Sequence, residues 1–101
     1  MNFSELNRVI DLIVKERGVE RFIVVAAIEQ AFIVAARKKF GIQGEYEAKY
    51  NEADADIEIY QFKNVVNEVR DSIVEITKTQ ARDLDPDCEV GDQLGIKIEN
   101  P

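Results

Sequence analysis

Histidine is missing from the 101 residues, and cysteine occurs once. Without histidine no Ser-His or Cys-His pair can generate a nucleophile, and a zinc site loses its commonest nitrogen ligand. Paired carboxylates, lysine or tyrosine are all that remain for acid–base chemistry, so the chain reads as a non-enzyme with no cofactor and no metal. Cys88 has no partner for an internal disulfide, which suits a reducing cytoplasm, and it reads as a small loop residue rather than a nucleophile. A membrane span is lacking too. The most apolar stretch, Phe22 to Ala36, is split by Glu29-Gln30 and falls short of the about 20 residues that a span needs. The amino terminus, Met-Asn-Phe-Ser-Glu-Leu, has no basic segment leading into an apolar one, so no signal peptide is read.

What is present fits one soluble α+β domain. The chain is 46% hydrophobic and 33% charged, which supports a single core and argues against disorder. The net charge of −7 is unevenly spread: residues 1–41 hold seven Lys and Arg against five Asp and Glu, while residues 42–101 hold six against fifteen. A domain acidic overall is a poor independent nucleic-acid binder, because phosphate contacts supply most of that affinity. Any RNA contact is therefore expected at the helical half, helped by another partner, and no DNA or membrane contact is expected.

Residues 20–40 organise the rest. Val25, Ile28, Phe32 and Ala35 recur at helical spacing, only Glu29 and Gln30 are polar between Phe22 and Ala36, and Arg37-Lys38-Lys39 close the segment. So apolar a circumference predicts a central helix wrapped by its domain. Before it, Phe3, Leu6, Ile10 and Ile13 define one face of an amphipathic helix from about Phe3 to Arg17, with Asn2 and Glu5 as a capping-box-like start and Gly18 as its left-handed stop. The short connection makes the two helices a hairpin or close elbow, and Gly41 ends the second.

After Gly41 the period becomes two. Tyr46, Ala48 and Tyr50 alternate with Glu45, Glu47 and Lys49 as a half-buried strand, residues 51–55 form a hairpin loop, and Ile57 to Phe62 form a second strand. The alternation slips after Ile59, which predicts either a bulge or partial cover of both faces. Ile73 to Ile76 read as a short strand, Thr77-Lys78-Thr79-Gln80 as a capping box starting a helix to about Asp83, and Leu94, Ile96 and Ile98 as a last strand. The expected architecture is a two-helix hairpin laid on one face of a small, mostly antiparallel sheet with one short extra helix.

Three groups of residues invite functional readings. Asp83, Asp85, Asp87 and Glu89 resemble a calcium loop in spacing, but the sixth position is Cys88 and the twelfth Leu94, where an EF-hand needs glycine and glutamate. They read as a solvated acidic loop, as do Glu52, Asp54, Asp56 and Glu58 at a hairpin tip, where nothing would split their pKa values for catalysis. Glu29 and Gln30, with Ile33 close by, mark either the helix's one solvent strip or a partner-docking surface. Arg37, Lys38 and Lys39 favour a helix C-terminus through the dipole whatever their role, and they are the strongest candidates for phosphate contact.

Ala27-Ile28-Glu29-Gln30-Ala31-Phe32, Ala35-Ala36-Arg37-Lys38-Lys39-Phe40-Gly41, Val65-Val66, Glu75-Ile76-Thr77, Ala81-Arg82 and Val90-Gly91-Asp92 follow one another in an order and spacing that resemble the amino-terminal domain family of the bacterial transcription elongation factor NusA. The resemblance covers nearly the whole chain. It implies a module that docks on RNA polymerase at the flap, near the RNA exit channel, and acts in pausing, termination and antitermination by stabilising nascent RNA hairpins. It also implies that residues 1–101 form one domain of a longer protein carrying OB-fold and KH modules. Arg37, Lys38 and Lys39 match the basic end of the family's second helix. Ile23-Val24-Val25 and Ile33-Val34 are more β-branched than the family's usual helix, which widens either the core or the docking patch. The competing reading, from another class, is a small acidic interaction domain that dimerises through its apolar helix.

Overall fold

The computed structural model describes residues 5–98. Two helices, α1 (Leu6–Arg17) and α2 (Arg21–Phe40), lead into β1 (Glu45–Asn51), β2 (Asp56–Val66), β3 (Glu75–Thr77), α3 (Lys78–Leu84) and β4 (Gln93–Ile98). The class is α+β, as expected. The start expected at Phe3, and the Asn2 cap, fall outside the described residues; Leu6 is the first α-helical position, and Glu5 before it gives no side-chain cap. Gly18 behaves as its sequence demands: it adopts φ 64° and donates its N–H to the Val14 carbonyl at 3.0 Å.

β2 is the spine of the sheet. β1 pairs antiparallel along its first half, β4 pairs antiparallel on the opposite side, and β3 extends the first side in parallel from Asn64 to Val66. The slip after Ile59 is not a bulge, since the register with β1 runs unbroken from Asn51↔Asp56 to Glu45↔Phe62. Ile57, Ile59 and Val65 are buried on the inner face, and of the two positions of the same parity between Ile59 and Val65, position 61 is filled by a buried polar residue, Gln61, and position 63 by half-buried Lys63. The Gln61 side-chain amide donates to the Tyr46 hydroxyl at 3.3 Å, and that hydroxyl donates to the Gly41 carbonyl at 2.9 Å, so the burial of Gln61 is matched by hydrogen bonding. Tyr60 and Phe62 are half-buried on the other face, which is the second of the two expected explanations.

The strand expected over residues 73–76 is shorter and later. Ile73 and Val74 belong to a turn held by Asp71, whose carboxylate accepts from the Ile73 N–H at 3.0 Å and whose carbonyl accepts from Glu75 N–H at 2.9 Å. Thr77 then caps α3, its hydroxyl accepting from the Gln80 N–H at 3.2 Å.

Two clusters fill the interior. One joins Leu6 and Ile10 of α1, Val24 and Ala36 of α2, and Tyr46, Ala48, Ile57 and Ile59 of the sheet. The other gathers Val65, Ile76, Ala81 and Cys88. Cys88 thus sits in a loop by sequence but in the core by position. Desolvation, followed by the nearby Asp85 carboxylate, pushes its thiol above the usual range, which keeps it protonated and unreactive.

The expectation of a wrapped α2 is wrong. Within it only Val24 and Ala36 are fully buried, while Phe22, Ile23 and Val34 are 67%, 50% and 48% exposed. One helix lying on one sheet has a single covered side, and α1 adds only a flank. Val25, Ile28, Phe32, Ile33 and Phe40 pack half-buried against the core, and Phe22, Ile23 and Val34 face outward. No helix among the described residues is long and apolar enough to cross a membrane.

Candidate functional site

The outward side of α2 is the feature that the fold leaves unexplained. Ile23, Ala27, Gln30 and Val34 are exposed and recur at intervals of three and four, with Ala26 and Ala31 exposed on either side of them. A helix turns by roughly 100° per residue, so these positions form one stripe along its length. The opposite side carries Val25, Ile28 and Phe32, which pack on the first core cluster.

Of the three docking candidates named from sequence, only Gln30 lies on this stripe. Ile33 is half-buried and packs against the core. Glu29 is engaged with the sheet, its carboxylate accepting the Tyr50 N–H at 2.9 Å. Ile23, Val34 and Ile42 were not singled out as docking residues, and of these Ile42 is 83% exposed just beyond the helix. The β-branched departures at positions 23 and 34 were the available signal.

Arg37, Lys38 and Lys39 are all exposed in the last turn of α2. Among the described residues none of them enters an ion pair, the four bridges being Arg21–Asp11, Arg21–Glu52, Lys78–Glu89 and Arg82–Glu89. The three do not share one direction. Arg37 and Lys38 line an open notch of about 220 Å³ with Val34 and Ile42, whereas the Lys39 ammonium lies 5.5 Å from the centre of the Phe40 ring. The cluster is cationic, accessible and, among the described residues, outside any ion pair.

The acidic segments, by contrast, are occupied by their own neighbourhood. Glu89 bonds Lys78 and Arg82 at 3.1 and 2.8 Å, and the Lys78 hydrogen bond, aided by both cations, holds its carboxyl below the usual range. Asp85 accepts from the Asp87 N–H at 3.1 Å. At the hairpin, Glu58 accepts from the Tyr60 hydroxyl at 2.6 Å and Asp56 accepts from the Ile57 N–H at 2.8 Å. No three Asp, Glu or Cys side chains among the described residues converge as a metal site.

Comparison with known proteins agrees with the resemblance in the sequence. Residues 5–100 match the family model of the NusA N-terminal domain. The chain is 32% identical over 95 residues to the transcription termination/antitermination protein NusA of Bacillus subtilis, covering 94% of this chain and 26% of that protein. The NusA of Rickettsia conorii is 28% identical over 90 residues, covering 89% of this chain and 18% of that one. The solution structure of the N-terminal domain of NusA from B. subtilis superposes with a TM-score of 0.77 at 31% identity, over 97% of this chain and 79% of that one. The chain spans about a quarter or less of the curated relatives it matches. With the family model, the sequence relatives and the fold in agreement, this chain belongs to the NusA N-terminal domain family.

Proposed function

We propose that this domain is the polymerase-docking module of a transcription termination/antitermination factor of the NusA type, acting without catalysis as one part of a longer protein with OB-fold and KH modules. It sits on RNA polymerase near the RNA exit channel, at the flap, and regulates pausing, termination and antitermination by position alone. The observation that supports this reading is the uncovered apolar stripe of α2, flanked at its end by Arg37 and Lys38 and followed by Lys39, all outside the ion pairs of the described residues. An apolar helix face of this kind suits a protein partner. The cations at its end suit the anions of an emerging RNA hairpin, with RNA contacts drawn from Arg37, Lys38 and Lys39.

The experiment is a pull-down of core RNA polymerase by the domain, repeated with polymerase lacking its flap tip. Binding that disappears with the flap tip supports the assignment; equal capture of both polymerases moves the docking site elsewhere. For the RNA side, replacing Arg37, Lys38 and Lys39 together by Ala shortens pauses at a hairpin site, and the wild-type advantage shrinks as salt rises. Unchanged pause lifetimes in the folded triple variant would remove these residues from the mechanism. Because the same stripe could bury itself against a second copy, gel filtration at micromolar concentration accompanies both assays, and the docking reading expects a monomer.

A further inference from the structure

α1, α2 and α3 all pack on the same side of the sheet. The first core cluster takes Tyr46, Ala48, Ile57 and Ile59 from the strands, and the second takes Val65, with Leu94 and Ile96 packed against it. The registers put these residues on one face: Tyr46 stands opposite Gln61, Ala48 opposite Ile59, Ile96 opposite Gln61 and Leu94 opposite Lys63. The other face carries no helix among the described residues.

That face is not the plain polar surface of a solvated sheet. Two rows cross its middle, Glu45, Phe62 and Gly95 in one and Glu47, Tyr60 and Lys97 in the next. Both rings are laid along the strands. Phe62 covers Gly95, where a Cβ would stand 3.0 Å from its Cε1 and 3.4 Å from its Cδ1, so the glycine leaves the room that the ring occupies. Tyr60 is drawn along β2 toward Glu58, to which its hydroxyl donates at 2.6 Å. A ring lying on a strand turns one side to the backbone and the other to solvent.

The charges around the rings select the occupant. Glu45 and Glu47 are exposed, and neither enters an ion pair among the described residues; Glu45 accepts the neutral Gln93 amide at 2.9 Å. Glu58, by contrast, is matched: the Tyr60 hydrogen bond, and after it the charges of Lys97 and Lys49, hold its carboxyl below the usual range. What stays open is an aromatic pair edged by two carboxylates. Such an edge repels phosphates, which makes these rings a poor platform for nucleic acid. A guanidinium suits it on both counts, since its plane stacks on a ring while its N–H fork meets a carboxylate.

We infer that the bare face of the sheet is a protein-binding surface in its own right, which takes arginine side chains of a partner segment, stacked on Phe62 and Tyr60 and paired with Glu45 and Glu47. It lies across the sheet from α2 and does not depend on docking there.

The probe is a short arginine-rich peptide, titrated into the isotope-labelled domain and followed by amide NMR shifts. A lysine-rich peptide of equal charge and a single-stranded RNA are titrated in parallel. The arginine peptide is expected to move the amides of residues 45–49, 58–63 and 93–97 and to bind about fivefold more tightly than the lysine peptide, while RNA leaves these amides in place. Tyr60→Leu/Phe62→Leu should abolish the preference for arginine, and Glu45→Gln/Glu47→Gln should weaken both peptides. Melting curves accompany each variant, and the glutamine pair, at exposed positions, keeps the test decisive if the leucine pair does not fold. Equal affinity for the two peptides overturns the inference, as do shifts centred on the acidic loop at 83–89 instead of the sheet. Wild-type arginine binding in the glutamine variant overturns it too, and RNA that moves the sheet amides hands the face to nucleic acid and overturns it as well. None of these outcomes bears on the docking of α2, which the polymerase pull-down decides separately.

Discussion

At the helical end, residues from α1, α2, β1 and β2 build the larger core, yet Phe22, Ile23, Val34 and Ile42 remain outside it. At the α3 end the cluster of Val65, Ile76, Ala81 and Cys88 is smaller, but its polar surroundings are internally matched: Glu89 with two cations, Thr77 with Gln80, Glu75 with the Arg70 and Asp71 amides. Leu84 and Val90 are the exposed apolar residues there, and each stands singly beside acids. The contrast separates what folding requires from what folding leaves over. Exposed apolar surface and cations outside the ion pairs of the described residues meet at the end of α2 and again on α1, where Leu12 lies with Arg8 and Lys15; the longer apolar stripe of α2 is why that end is assigned to the partner.

Mutations can sharpen this division. The largest effect is expected in the helical core: Ile59→Ala, at a site with no exposed surface, should cost about 2–5 kcal/mol in denaturant unfolding. The outward residues Val34 and Ile42 should by comparison stay within about 0.5 kcal/mol of wild type when changed to serine. A loss at Ile42 comparable to that at Ile59 would show that the stripe belongs to the core after all. At the other end, Thr77→Ala removes the one side-chain cap of α3 and should cost about 1 kcal/mol, read as a lower urea midpoint with an unchanged slope.

The smallest effect concerns acid. The Glu75 carboxylate accepts the Arg70 and Asp71 N–H groups at 2.9 and 3.1 Å, and these bonds hold its pKa below the usual carboxylate range. A pKa lower in the folded than in the unfolded chain stabilises above the ordinary value, and that stability is lost as pH falls through the folded one. Glu75→Gln should therefore be less stable than wild type at neutral pH, with the gap closing in acid. A constant gap across the titration would mean that the 70–75 turn gains nothing from the charge.

Features set by neighbouring residues were legible in the sequence. Gly18 after an amphipathic run and Thr77 three residues before Gln80 each fix a helix boundary through local hydrogen bonds, and both boundaries stand where the residues put them. The β1 alternation was equally plain because its acids face water. What stayed hidden depends on residues distant in sequence. Gln61 occupies an inward position, so a continuous β2 looked like a slipped one; only Tyr46, fifteen residues away, makes that polar burial acceptable. The parallel pairing of β3 could not be read from a three-residue strand. Composition told how apolar α2 is, but not how many neighbours it has, so a half-covered helix was read as a wrapped one. In the site, the basic cluster was visible as a run of three, whereas its division around the helix and the exposure of Ile42 just beyond it were not.

The bond from the Tyr50 N–H to Glu29 bears on how this domain behaves in a crowded solution. Among the described residues β1 pairs only with β2, and its outer edge would otherwise offer a free amide to any extended chain. By lending a carboxylate to that amide, α2 spoils the edge as a template for cross-β growth, since an incoming strand would have to displace a charged acceptor before it could start a ladder. The helix that leaves its own outer side bare thus blunts the β1 edge of the sheet at Tyr50.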